Sequence, residues 1–294
     1  MPDRAFADWT RERQQRIEQV LDGLLPSAEA PGSPRLAAAM RYATLGGGKR
    51  MRPLLAYAAA ELAGGARDDV DRCAAAVEFI HAYSLIHDDL PCMDDDALRR
   101  GKPTCHIAFG VATALLAGDA LQSLAFATLA GARRMSLNGC RLLADAAGHA
   151  GMAGGQQLDL DATGAALDVG ALNTLHALKT GALIRAAVRL GAACGRTLDG
   201  HEARALDAYA AAAGLAFQVV DDVLDVEGSD ATLGKTAGKD AVQNKSTFVT
   251  LLGLEPARRR SQALHAEAVA ALEPLGAAGG RLVQLADWIA SRKS

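Results

Sequence analysis

Residues 217–226 have the sequence Phe-Gln-Val-Val-Asp-Asp-Val-Leu-Asp-Val. In a helix, the polar residues of this stretch recur at i, i+3, i+4 and i+7, the spacing that normally forms the buried apolar stripe. They are Gln218, Asp221, Asp222 and Asp225. The other positions are apolar, so such a helix has almost no ordinary polar face. Because buried carboxylates need a compensating partner, we expect this stripe to face a cation, another polar group or a wet cavity.

Three carboxylates without a neighbouring histidine or cysteine favour a hard cation with oxygen ligands, above all Mg²⁺. A solvated acidic patch is the alternative, and the apolar flanks argue against it. A second acidic cluster, at residues 88–96, ends a predicted helix and is followed closely by Arg99 and Arg100. Acidic and basic clusters side by side indicate a site that holds a metal and an anion together. A charged surface loop is the alternative interpretation there.

The composition favours an all-α fold. Of the 294 residues, 50% are hydrophobic but only 4% are aromatic, and alanine fills long tracts, which suits close-packed helices better than sheet. Helices are predicted at about 4–25, 34–45, 53–64, 70–90, 108–130, 151–160, 172–194, 247–254, 256–272 and 281–291. The nearly uncharged segment 108–130 is expected to be a core helix. Neither a repeat nor a clear break divides the chain, so residues 1–294 are expected to form a single domain.

Charge and cysteine content argue against several classes of protein. A net charge of −3 and a pI of about 6.2 give no indication of binding to nucleic acid or to an anionic membrane. Nothing resembles a signal peptide or an uncharged apolar span, so no membrane span is expected. The five cysteines are scattered and form no CxxC pair, which indicates a reduced, cytoplasmic protein.

Three segments have the composition of phosphate-binding sites. Gly46-Gly47-Gly48 offers backbone N–H groups directly before a basic run. Lys179-Thr180-Gly181 places a cation and a hydroxyl in mid-helix, and residues 227–240 have the content of a flexible lid. The cations of these segments and just after them are Lys49, Arg50, Arg52, Lys179, Lys235, Lys239 and Lys245. A capped helix end and ordinary surface lysines are the alternatives.

Taken in order, these segments resemble the motifs of the trans-isoprenyl diphosphate synthases. Asp88-Asp89-Leu-Pro-Cys-Met-Asp94, followed by Arg99-Arg100, is similar to the first aspartate-rich motif of that family, and residues 221–225 are similar to the second. The remaining matches are residues 46–53, Lys179-Thr180-Gly181, Phe217-Gln218 and residues 234–240. The resemblance covers about residues 40–250. It implies an all-α isoprenoid-synthase fold, usually homodimeric, in which the two aspartate motifs face each other across a cavity.

The resemblance also implies a role for each motif residue. Three Mg²⁺ ions, which Mn²⁺ could replace, would be held by Asp88, Asp89, Asp94, Asp221, Asp222 and Asp225; Asp95 and Asp96 stay open as substitutes for Asp94. The allylic diphosphate would be bound by Arg99, Lys179, Thr180, Gln218, Lys235 and Lys245. Of these, the predicted catalytic residues are Lys179, Thr180, Gln218 and Lys235. Isopentenyl diphosphate would be bound by Lys49, Arg52, His81 and Arg100.

The implied reaction is the head-to-tail condensation of isopentenyl diphosphate with dimethylallyl and geranyl diphosphate. In this family, residues four and five positions before the first motif limit product length; here they are Ser84 and Tyr83. Together with the Pro91-Cys92 insertion, they resemble the farnesyl-producing branch, and geranyl or geranylgeranyl diphosphate stays open as the alternative product. Helix geometry alone does not support the gate, because five residues place Tyr83 about 140° from Asp88.

Other classes of protein carry parts of this pattern. A terpene cyclase shares the first aspartate motif but lacks the basic segment around Lys49 and Arg52. A metal phosphohydrolase with a His-Asp pair, suggested by His87-Asp88, needs a histidine well upstream, and the first histidine here is His81. A non-catalytic partner subunit of a prenyl synthase typically loses one aspartate motif, whereas this chain retains both.

Overall fold

The computed structural model describes residues 4–135, 137–164, 167–227 and 246–292. Over these residues, helices linked by short loops make up nearly the whole fold. The first half contains α1 (Arg4–Leu24), α2 (Pro34–Thr44), α3 (Met51–Ala63), α4 (Arg67–Asp88), α5 (Cys105–Phe109), α6 (Val111–Ala130) and α7 (Leu137–Ala147). The second half contains α8 (Met152–Asp161), α9 (Val169–His176), a π-helical turn (Ala177–Gly181), α10 (Ala182–Ala193), α11 (Gly200–Glu227), α12 (Phe248–Leu252), α13 (Leu254–Ala271), a 3₁₀ segment (Glu273–Gly279) and α14 (Gly280–Ser291).

The predicted all-α class is confirmed, with local differences. The strand content of the described residues is a two-residue antiparallel ribbon, β1 (Leu98–Arg99) with β2 (Lys102–Pro103), which follows the first acidic cluster. The segment expected to be one helix over 172–194 is instead α9, the π-helical turn and α10. A π-turn inside a helix often marks a functional site, and this one contains Lys179 and Thr180. Helix α7 was not predicted.

The core lies where α3, α4, α10 and α11 pack together. Helix α3 is buried on almost every side, and its alanines allow neighbouring helices to pack closely against it. Gly191 of α10 touches this helix so closely that a Cβ there would lie 2.1 Å from the carbonyl oxygen of Ala56. Helix α11 is held from the other side by α14, where the buried Tyr209 hydroxyl donates a 2.9 Å hydrogen bond to the carbonyl of Leu282.

The prediction that α6 is a core helix is only partly correct. One stripe packs on α4 and is fully buried, including Ala114, Ala117 and Leu121. The opposite face carries Val111, Leu115 and Leu116 with 49%, 45% and 54% of their surface exposed. By length and composition, α6 meets the criteria for a membrane-crossing helix, which the sequence had not been expected to contain, but buried helices meet the same criteria.

Candidate active site

A cavity of about 460 Å³ opens between α4, α8 and the π-turn. Seven residues that the sequence assigned to different roles line it together: Arg52, His81, Tyr83, Ser84, Asp88, Lys179 and Thr180. Leu115 and Leu160 contribute apolar walls. Although Tyr83 and Asp88 are far apart around an ideal helix, both border this cavity, so the chain-length gate is geometrically allowed.

Asp88 is the last residue of α4 and the main carboxylate of the cavity wall. Its pKa is raised to about 6, mainly by burial and also by like-charge repulsion from Asp94 and Asp89, and Lys179 partly offsets this shift. The ionised form therefore lacks enough positive charge around it. A cation placed at this carboxylate would stabilise it.

Asp89 has a different environment from Asp88. Its carboxylate is 3% exposed and accepts both Nε (2.9 Å) and Nη2 (2.7 Å) hydrogen bonds from Arg99. This bidentate ion pair is strong and geometrically specific. The predicted roles of Asp89 at a metal and of Arg99 at a diphosphate stay predictions, and each requires this pair to open.

The two arginines that follow the glycine-rich segment, Arg50 and Arg52, lie in different environments. Arg50 points inward, where it pairs with Glu78 at 2.6 Å and with Glu18, so the structure gives it a structural role, and binding phosphate would require these pairs to open. Arg52 lies on the cavity, and its Nε is buried without a hydrogen-bond partner. An orphaned cationic donor is costly, and an anion in the cavity would satisfy it.

The three other residues predicted to bind isopentenyl diphosphate are His81, Arg100 and Lys49, and His81 lies close enough to Arg52 to be affected by its charge. Burial lowers the pKa of His81 well below its ordinary value, and Arg52 and Arg100 lower it further, so the imidazole is neutral at physiological pH. The guanidinium of Arg100 donates to the carbonyl of Gly47. The pKa of Lys49 is lowered by burial and by Arg292, although Asp221 opposes this effect. Neighbouring arginines thus add to the effect of burial at both His81 and Lys49, so an anion bound beside these residues would be favoured by the surrounding positive charge.

The π-turn is held in place by α8. A Cβ at Gly155 would lie 2.1 Å from the backbone nitrogen of Lys179, so only glycine permits this contact. The ammonium of Lys179 pairs with Asp159 at 2.6 Å. The hydroxyl of Thr180 donates to the amide oxygen of Gln218 at 3.2 Å, which connects the cavity to the acidic stripe of α11.

The acidic stripe of α11 is partly exposed to solvent and partly buried. The Asp221 side chain is 43% exposed and pairs with Arg292 at 3.0 Å. Asp222 and Asp225 are 3% and 7% exposed. The predicted lid with its lysines Lys235, Lys239 and Lys245 lies outside the described residues.

Sequence reasoning assigned no role to Arg292, Asp159 or Gln156. The Arg292 guanidinium is buried, stacks 3.8 Å from the centre of the Phe217 ring and donates to the Phe217 carbonyl. Gln156 lines the cavity with a buried, unpartnered Nε2. The polar residues of the glycine-rich helix at 151–160 were a usable signal for Gln156 and Asp159. Arg292 gave none, because its partner lies 71 residues earlier in the chain.

The carboxylates are better suited to binding magnesium together with a substrate phosphate than to binding the ion alone. Within the described ranges, no group of three histidine, cysteine or carboxylate side chains comes close enough to hold a metal ion. Mg²⁺ is commonly held by one or two carboxylates, with phosphate oxygens and water completing its octahedron. Asp88, with its raised pKa, and the partly exposed Asp221 are suited to that kind of binding.

Comparisons with known proteins identify related sequences and structures. The profile described as polyprenyl synthetase matches residues 33–273. Farnesyl diphosphate synthase of Escherichia coli is 52% identical over 262 residues, which are 86% of this chain and 88% of that protein. Among solved structures, an FPP/GFPP synthase from Zymomonas mobilis aligns with a TM-score of 0.86 at 41% identity over 98% of this chain and 99% of the other. Geranyltransferase from Helicobacter pylori, complexed with magnesium and isoprenyl diphosphate, aligns with a TM-score of 0.85 at 33% identity over 98% and 97%. The chain belongs to the polyprenyl synthetase family.

Proposed function

We propose that this chain is a magnesium-dependent farnesyl diphosphate synthase. It would join isopentenyl diphosphate head-to-tail to dimethylallyl and then geranyl diphosphate, giving (2E,6E)-farnesyl diphosphate and diphosphate. The observation that carries the proposal is the composition of one cavity, whose lining combines the carboxylate of Asp88, the cations Lys179 and Arg52, the latter with an unpartnered Nε, and several apolar side chains. Two diphosphates and two hydrocarbon chains match that arrangement.

The cations of the π-turn and of α3 have separate tasks. Lys179, together with Thr180 and Gln218, would bind the allylic diphosphate and stabilise the negative charge that grows as its C–O bond breaks.

Isopentenyl diphosphate would be held by Arg52, Lys49 and Arg100 so that its double bond reaches the new carbocation. A carbon–carbon bond then forms, and a proton leaves, which we assign to the departing diphosphate as acceptor. His81 is neutral and would orient the diphosphate by hydrogen bonding.

Magnesium would be held by Asp88, Asp94 and Asp221, with Asp225 as a further candidate ligand. When bound, it supplies Lewis-acid stabilisation of the leaving diphosphate. The apolar walls, including Leu115, Met152 and Leu160, would keep water from the carbocation. We expect three ions per site in the presence of substrate, and Mn²⁺ as a substitute.

Product length would be set at the apolar end of the cavity. Tyr83 is 8% exposed there and packs edge-on against His87, with 5.6 Å between the ring centres. A bulky ring at this place supports the fifteen-carbon product over geranylgeranyl diphosphate. Geranyl diphosphate would be the alternative product if the second condensation were slow.

The outer face of α6 supports a homodimer. Side chains such as Ile107, Val111 and Leu116 are about half exposed on α5 and α6, and together they form an apolar surface of the kind that a second subunit covers. We propose that a second copy of the chain packs there. A cytoplasmic location stays a prediction from the cysteine pattern.

Release of diphosphate tests the reaction class. Purified protein would be mixed with geranyl and isopentenyl diphosphate, and diphosphate would be measured by a coupled assay with Mg²⁺, with EDTA, and with Mg²⁺ restored. We expect release only when both substrates and Mg²⁺ are present. Release that persists in EDTA, or that occurs at the same rate with geranyl diphosphate alone, would contradict the proposal.

A further inference from the structure

The second aspartate of the α11 stripe has both carboxylate oxygens engaged by the protein. Asp222 is 3% exposed. Its Oδ1 accepts a 3.0 Å hydrogen bond from the Gln218 amide, and its Oδ2 accepts a 2.8 Å hydrogen bond from the backbone N–H of Phe248. The adjacent Asp221 side chain is 43% exposed. The two neighbouring carboxylates of one motif therefore occupy different environments.

These hydrogen bonds continue to the cavity. Because Asp222 accepts from the amide nitrogen of Gln218, the amide oxygen of Gln218 must point the other way, where it accepts from the Thr180 hydroxyl at 3.2 Å. Thr180 lines the cavity beside Lys179. Asp222 thereby fixes which end of the Gln218 amide faces the π-turn.

The same carboxylate anchors the start of α12. Phe248 is fully buried, and its ring lies 5.6 Å from that of His176, the last residue before the π-turn. Thr247 caps this helix in a reciprocal capping box with Thr250. The backbone N–H of Phe248 lies in the first turn of α12, where helical N–H groups lack intrahelical partners. Asp222 supplies the acceptor.

We propose that Asp222 is a positioning residue and not a metal ligand. It orients Gln218 toward Thr180 and holds α12 against α11. The metal-binding role that the sequence assigned to the stripe then belongs to Asp221, whose side chain is 43% exposed beside Arg292. This inference rests on the proposed function, because it concerns the residues around a magnesium-bound diphosphate.

Matched asparagine variants test the proposal. Mg²⁺ would be titrated by calorimetry into each protein in the presence of saturating inorganic diphosphate. Asp221→Asn should weaken Mg²⁺ binding by about tenfold or more, since losing a ligand costs at least as much as losing a group that orients one. Asp222→Asn should change Mg²⁺ binding by less than about twofold, well below either of those effects, because the Asp222 carboxylate bonds to Gln218 and to the backbone of Phe248 and not to a residue that we assign to the metal. Equal weakening in both variants would overturn the inference, whereas no weakening by Asp221→Asn would count against the proposed metal site itself.

A second pair of measurements separates positioning from a purely structural role. Asp222→Asn should raise the KM for geranyl diphosphate by about tenfold, corresponding to one misdirected hydrogen bond, while the KM for isopentenyl diphosphate stays within about twofold. Equal rises in both KM values would contradict positioning at the allylic side.

A double variant provides the rescue, and it keeps the proposal testable if Asp222→Asn folds poorly. Asp222→Asn should lower the melting temperature by on the order of 2–4 °C, since either the Gln218 amide or the backbone N–H of Phe248 loses its acceptor. In Gln218→Glu/Asp222→Asn, the amide nitrogen introduced at position 222 can donate to the carboxylate introduced at position 218. The amide oxygen at position 222 still accepts from the backbone N–H of Phe248. This exchange should restore the melting temperature. No recovery would overturn the hydrogen-bond account.

Discussion

Asp88 illustrates how one residue serves function at a cost to stability. Its raised pKa of about 6 means that the folded protein binds this proton more tightly than the unfolded chain does. The free-energy penalty for ionising it therefore grows as the pH rises from about 4 to about 6 and is complete above that. A metal ion would remove the penalty.

Asp88→Asn should consequently stabilise the metal-free protein. We expect an increase of on the order of 1–3 kcal/mol in the free energy of unfolding at pH 7.5, since the buried charge disappears. Denaturant unfolding in EDTA at pH 7.5 and at pH 4 checks this, and the difference between the two proteins should vanish at the lower pH. A variant less stable than the parent at pH 7.5 would show that Asp88 is stabilised by the protein alone.

Tyr83 is the residue that we expect to limit product length. Tyr83→Ala removes the ring at the apolar end of the cavity, so chains longer than fifteen carbons should appear among the chromatographed products. Tyr83→Phe keeps the volume and should keep the fifteen-carbon product. Unchanged products in the alanine variant would assign the gate to another residue.

Several residue roles follow only from three-dimensional contacts. The 3.6-residue periodicity was enough to group Gln218 with the aspartates of α11, because that signal is local. The inward turn of Arg50 depends on Glu78, 28 residues away, and the partner of Lys179 is 20 residues away. Residue type and spacing do not encode such pairings.

At the scale of elements, the position of the π-turn depends on a single close contact. Gly155→Ala would place a methyl group against the backbone of Lys179, so α8 or the turn must move. We expect a loss of about 1–3 kcal/mol in stability and at least a tenfold loss in kcat/KM, because Lys179 would be displaced. Chemical denaturation and steady-state kinetics measure these effects.

Gly23→Ala is the matched control for that variant. Gly23 lies in α1, where a Cβ would meet nothing within 4 Å. Alanine there should stabilise the helix by up to about 1 kcal/mol and leave kinetics unchanged. Similar losses in both variants would show that replacing a helical glycine by alanine is damaging in itself, and the loss at Gly155 would then not be attributable to its contact with Lys179.

For the whole molecule, the fold class was predictable and the environment of α6 was not. Apolar periodicity and the scarcity of aromatics indicate packed helices whatever their arrangement. An almost entirely apolar helix such as α6 satisfies the pattern of a core helix, because a sequence does not distinguish a face covered by its own chain from one covered by a second copy.

Leu116→Glu should disrupt the proposed homodimer. Leu116 is 54% exposed on α6, and a buried, unpaired carboxylate would be costly at a subunit interface. Light scattering during size-exclusion chromatography should show the mass of one chain for this variant and of two for the parent. Leu137→Glu, at an 88% exposed position on α7, is the control and should remain dimeric. A dimeric Leu116→Glu protein would exclude this face.

The central claim is that one cavity performs two successive condensations and then stops. Radiolabelled isopentenyl diphosphate would be incubated with dimethylallyl diphosphate and Mg²⁺, and the dephosphorylated products would be separated by chain length. We predict a fifteen-carbon alcohol carrying two labelled units as the main product, and no product when Mg²⁺ is removed. A main product of ten or twenty carbons, or labelled product formed without Mg²⁺, would contradict the account.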